Sequence, residues 1–83
     1  MSDSQPTNEE IAAILERIAD LLEIKNANPF RVGSYRDASE TVRGNDKDIS
    51  DIALKEGQNA LRTLPDIGEG IARIIHEIAK TGR

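Results

Sequence analysis

The chain has no cysteine and a single histidine, His76. Without thiols it can form neither disulfides nor thiolate zinc sites, and one imidazole cannot complete a histidine metal set. No apolar run approaches the roughly 20 residues that a membrane-spanning helix needs. The start, Met1-Ser2-Asp3-Ser4, lacks a basic stretch followed by an apolar one, so no secretory leader is legible. These absences read as a soluble, unprocessed, cytoplasmic (intracellular) chain with no membrane partner. At 83 residues there is room for one domain, close to the size at which a single core just suffices.

An excess of basic charge is also missing. The net charge is −4, which counts against nucleic acid, because phosphate binding draws much of its affinity from lysine and arginine. The distribution is uneven: residues 1–28 hold six acids against two bases, residues 29–47 three against four, and residues 48–83 six against five. The acidity is concentrated in the first segment, and a local basic face can exist elsewhere. On charge alone an acidic protein-interaction domain is the better reading.

What is present is helical patterning. Residues 1–6 read as a flexible tail and residues 7–83 as one domain. Thr7 and Glu10 stand at capping-box spacing. Ile11, Ile14, Leu15, Ile18, Leu21 and Leu22 then recur at three- and four-residue steps on one face, opposite Glu16, Arg17, Asp20 and Glu23. Asn28-Pro29 predicts a second N-terminus, with the helix running through Phe30, Tyr35, Ala38 and Val42 to a left-handed stop at Gly44. Asp48 is placed to cap a third helix with Ile49, Ile52 and Ala53, ending at Gly57. A fourth short helix is expected over residues 58–63, bringing Leu61 and Leu64 to the core. A fifth runs from about Glu69 to Lys80 with Ile71, Ile74, Ile75 and Ile78 inward and Gly82 as its stop. No strand pattern competes, so the expected fold is all-α, a compact bundle of four to five short helices.

The informative stretch is Leu61-Arg62-Thr63-Leu64-Pro65-Asp66-Ile67-Gly68-Glu69-Gly70-Ile71-Ala72. Apolar anchors precede a proline turn, and glycine opens the next helix, which is a helix-hairpin-helix pattern. Free N–H groups in the first turn of a helix, together with its dipole, make a site for an anion such as a DNA phosphate. A contact to backbone and phosphate positions a protein on DNA without reading sequence. The bland alternative is a tight turn between two packed helices.

Three ordered segments favour the first reading: Asn8-Glu9-Glu10-Ile11-Ala12-Ala13-Ile14-Leu15, then Asn28-Pro29-Phe30-Arg31-Val32 through Tyr35-Arg36, then Leu64-Pro65-Asp66-Ile67-Gly68 with Ile71-Ala72. Together they resemble the N-terminal helix-hairpin-helix domain of X-family DNA polymerases over nearly the whole chain. The resemblance implies binding of gapped DNA at a 5′ phosphate in repair, with Arg31 and Tyr35 at the family's phosphate-holding positions on the second helix. It also implies a monovalent cation at the hairpin, held by backbone carbonyls of Arg62, Leu64 and Ile67; no other cofactor is expected. The implied DNA-binding set is Arg31, Tyr35, Arg36, Ile67, Gly68, Glu69, Gly70 and Arg73.

Two departures from the family are visible. Asp66 stands where the family hairpin usually has glycine, and a carboxylate there repels an anion, particularly at low salt; it can instead cap the last helix or favour a bridging cation. Members with 5′-deoxyribose phosphate lyase activity form a Schiff base through a lysine of the last helix, and that position is Ile74 here. A nearby family lysine is matched by Gly70, leaving Lys80 near the exposed end. No catalytic residue is therefore assigned, and His76 has no companion ligand or nucleophile motif. The polymerase domains that follow in the family are absent from these residues, so a free-standing homologue and the front of a polymerase both remain open. DNA is the expected partner, with polymerase domains or a repair protein beside it. The rival is a protein-interaction domain of the same fold, for which Asp37, Asp66 and the net charge speak.

Overall fold

A computed structural model of the chain describes residues 5–82. Within that span five helices follow one another: α1 (Asn8–Ile24), α2 (Pro29–Arg43), α3 (Ile49–Glu56), α4 (Gln58–Leu61) and α5 (Glu69–Thr81), with no strand among the described residues.

Side-chain caps fix where the first three begin. Thr7 Oγ1 accepts the Glu10 N–H at 3.1 Å while Glu10 Oε1 accepts the Thr7 N–H at 2.8 Å, completing the expected capping box. Asn28 Oδ1 accepts the Phe30 N–H at 2.8 Å, with Pro29 at the first helical position. Asp48 Oδ1 accepts the Asp51 N–H at 3.4 Å. A cap of this kind contributes about 1 kcal/mol. At the other end of α1, Asn26 takes φ +59°, its N–H bonds Glu23 O and that of Ala27 bonds Leu22 O. This is a Schellman ending with asparagine in the left-handed position. Gly82 closes α5 in the same region, at φ +82°, as its place in the sequence predicts.

α1 lies along α2, whereas α3 and α4 pack against α5, and α1 also touches α5. Their apolar faces meet in one core in which Ile11, Leu15, Val42, Ile49, Leu61 and Ile75 are fully buried. Burying each such side chain is worth roughly 1.5–3 kcal/mol. Two polar residues, Ser39 and Ser50, are buried among them and both are satisfied. Ser39 Oγ donates to Glu16 Oε2 at 3.2 Å, and Ser50 Oγ donates to the Pro6 carbonyl at 2.6 Å. Asn8 joins the two halves: its Nδ2 donates to the carbonyls of Asn45 and Lys47, and its Oδ1 accepts the Ile49 N–H.

Several expectations are corrected. Pro6, placed in the flexible tail, is buried and bound through its carbonyl, while residues 1–4 of that segment lie outside the described residues. Gly44 ends α2 at φ −88°, so no left-handed stop is used there; its N–H simply continues the ladder to Glu40 O. α4 stops at Leu61, two residues early, because the chain already turns at Arg62 and Thr63. Leu21 shares the apolar period of α1 yet is 52% exposed, whereas its neighbour Leu22 packs against the core.

Candidate functional site

From α4 the chain turns through residues 62–68 into α5. Leu64, half-buried, and Ile67, buried, anchor the turn on either side of Pro65 and Asp66. Asp66 sits at φ +66°, in the left-handed region that disfavours most side chains and that aspartate and asparagine tolerate best after glycine. Its carboxylate accepts a hydrogen bond from Thr41 Oγ1 of α2 at 3.1 Å. The turn is thereby tied to α2.

Unlike the first three helices, α5 has no side-chain cap. Its N-cap is Gly68, in extended conformation, and the N–H groups of Gly68, Glu69, Gly70 and Ile71 find no acceptor among the described residues. The expectation that Asp66 caps this helix is corrected: the carboxylate faces Thr41 instead. Four unsatisfied donors and the positive end of the helix dipole are left at one spot. A Cβ added at Gly68 or Gly70 would meet nothing within 4 Å. The fold therefore does not need glycine at either position, and the amides stand open to approach.

These amides border a shallow open depression of about 320 Å³. Arg31, Ser34 and Tyr35 of α2 wall one side; Asp66, Gly68, Gly70 and Ile71 wall the other. Arg31 is exposed and makes no ion pair among the described residues. The Tyr35 ring is buried, and its hydroxyl has no hydrogen-bond partner among those residues. Ser34 Oγ donates to the Phe30 carbonyl at 2.9 Å.

Of the residues singled out from sequence, the fold thus brings Arg31, Tyr35, Gly68 and Gly70 together. Glu69 opens α5 beside them, and Ile67 lies beneath as an apolar anchor whose N–H bonds Leu64 O at 3.4 Å. Arg73 is exposed farther along α5 and does not line the depression. Arg36 is not part of it either. Its guanidinium lies 3.1 Å from Asp20 and 2.9 Å from Glu23 on α1, and the hydrogen bond to Asp20 raises its pKa. The acids that the sequence places on the outer face of α1 have claimed it. Ser34, Thr41 and Ile71 are the participants that sequence reasoning missed or read only as packing. No local pattern announces the Thr41–Asp66 bond, which joins residues 25 apart.

Ile74, where lyase members carry lysine, is half-buried against the core. Lys80 stands ten residues beyond Gly70, about 15 Å along the helix, and no lysine lines the depression. The carbonyls of Arg62 and Ile67 accept no backbone hydrogen bond among the described residues, and that of Leu64 accepts only the long one from Ile67. Their oxygens remain available, and an all-oxygen donor set suits a hard cation.

The helix-hairpin-helix domain family matches residues 6–83. The chain belongs to that family. This helix-hairpin-helix domain is also 30% identical over 74 residues to the DNA polymerase/3′-5′ exonuclease PolX of Bacillus subtilis (strain 168). The match takes in 89% of the chain and 12% of that protein, so the chain spans about an eighth of its relative's length. The likeness to X-family polymerases that the three sequence segments carry is in agreement with both. Among the described residues no helix is long and apolar enough to cross a membrane.

Proposed function

We propose that this domain binds DNA without sequence preference by seating a phosphate in the depression between α2 and the start of α5. The observation that carries the reading is the uncapped N-terminus of α5, whose free N–H groups border a depression that Arg31 and Tyr35 also line. Such a cluster satisfies phosphate oxygens by hydrogen bonds and charge alone, which fixes position and reads no base. Family membership and the polymerase relative support nucleic-acid binding in general. The finer target is a 5′ phosphate at a gap or nick, in a repair context inside the cell. Arg73 reaches the flanking backbone in this reading. A monovalent cation on the carbonyls of Arg62, Leu64 and Ile67 supplies positive charge to a second phosphate. With no lysine in the lining, the reading includes no Schiff-base step.

The test is a backbone NMR titration with gapped DNA, with and without the 5′ phosphate, at two salt concentrations. Shifts concentrated at Gly68–Ile71 and around Arg31, weakened by salt, are the expected result. Repeating it with potassium exchanged for a bulky ammonium ion tests the cation. A second reading, docking of a partner protein, draws on the net charge of −4 and on Ile24 and Phe30, 78% and 86% exposed. Absence of shifts at millimolar DNA would favour it.

A further inference from the structure

The charge of the depression is balanced in an unexpected way. Among its lining residues Arg31 is the one basic side chain and Asp66 the one carboxylate, so the side chains contribute no net charge. Glu69, at the first position of α5, adds a second carboxylate at the rim. Attraction for an anion is thus left to the free amides and the helix dipole, worth about half a charge. Asp66 is moreover held in place. Its positive φ is set by the turn, and Thr41 Oγ1 pins the carboxylate from α2.

A phosphodiester carries one negative charge, whereas a terminal phosphate monoester carries about 1.5 to 2 at neutral pH. A fixed carboxylate beside the site costs a dianion about twice what it costs a monoanion, and so offsets part of the extra attraction that the amides and Arg31 give the dianion. We infer that Asp66 is a specificity-determining residue that narrows the preference of the depression for the doubly charged terminal phosphate over singly charged phosphodiesters of the DNA backbone, with Thr41 as its positioning residue. This inference rests on the reading of the depression as a phosphate site. Glycine, asparagine or aspartate each satisfies the turn at this position. The carboxylate is therefore a choice of charge and not a demand of the fold.

The inference is tested with three otherwise identical gapped duplexes, ending at the gap in a 5′-phosphate, a 5′-methyl phosphate diester or a 5′-hydroxyl. Affinities are measured by NMR titration at low salt and neutral pH. The native domain prefers the monoester over the methyl diester by less than either Asp66 variant does. Asp66→Asn keeps the left-handed turn and an acceptor for Thr41, and Asp66→Gly keeps the turn alone. Both gain on the monoester by about two- to threefold more than on the diester. Thr41→Val, which frees the carboxylate, alters the ratio between the two ends and leaves the 5′-hydroxyl duplex unaffected. Equal gains for both ends in the Asp66 variants would overturn the inference while leaving the phosphate site intact. If no duplex shifts the Gly68–Ile71 amides, the phosphate reading itself falls.

Discussion

Asn8 Oδ1 lies 2.9 Å from the Ile49 N–H, so that a residue of the first turn of α1 supplies the acceptor for the first amide of α3. The same side chain donates to Lys47 O at 2.8 Å and to Asn45 O at 3.3 Å. One amide group therefore secures the α2–α3 connection and the entry to α3. Asn8→Ala leaves the part-buried Asn45 carbonyl and Ile49 N–H without this partner, and a loss of about 1–3 kcal/mol is expected in urea unfolding. An unchanged midpoint would show that water replaces all three bonds.

A second tie between distant segments is ionic. Arg43, at the end of α2, lies 2.8 Å from Glu16 and 3.0 Å from Glu9, and its hydrogen bond, helped by Ser39, holds the Glu16 pKa below the usual carboxylate range. Because the folded-state pKa is depressed, this contribution is present above the unfolded-state pKa and is lost as pH falls through the folded one. Glu16→Gln should flatten the decline of stability in acid below about pH 4.5 while changing its pH dependence little above neutrality. Parallel acid-unfolding curves for the two proteins would refute the coupling.

The glycines permit a clean separation of folding from binding. At Gly70 and Gly33 an added Cβ meets nothing within 4 Å, and both lie inside helices. Alanine at either position should preserve or raise stability, by up to about 1 kcal/mol at the interior position 33. Only Gly70→Ala places a methyl group over the amides of α5, and only it should weaken DNA binding. Equal affinities for the two variants would mean that the phosphate does not approach there.

Arginine substitutions should divide in the same way. Arg31→Ala should weaken DNA binding at low salt and reduce the slope of log affinity against log salt by about 0.9, the loss of one phosphate contact. Arg36→Ala removes a guanidinium already held by Asp20 and Glu23, and its effect should fall on packing of α1 against α2 with little change in that slope. A larger change of slope for Arg36 than for Arg31 would reverse the assignment of the site.

Local signals account for most of what the sequence discloses. Caps are written within four residues, and Thr7, Asn28 and Asp48 all act as read; Gly82 does too. The apolar period identifies the inward face of α1 but not its edge: Leu21 fits the period and is exposed, while Leu22 packs against the core. Arg31 and Tyr35 could be placed by family resemblance, whereas Arg36 could not, because its fate depends on acids of another helix. Asp66 is the instructive case. From sequence it reads only as a charge, a helix cap or a cation ligand; neither its left-handed backbone nor its bond to Thr41 is written in any local pattern.

The depression takes one wall from the α1–α2 pair and the other from the unit built on α5. A ligand seated there is a removable cross-brace between the two, absent from the unfolded chain. Saturation to a hundred times the dissociation constant adds about 2.7 kcal/mol to stability. In a domain of this size that raises the melting temperature by roughly 10–20 °C. On the proposed reading, heat resistance in this small protein becomes a gauge of how much DNA surrounds it.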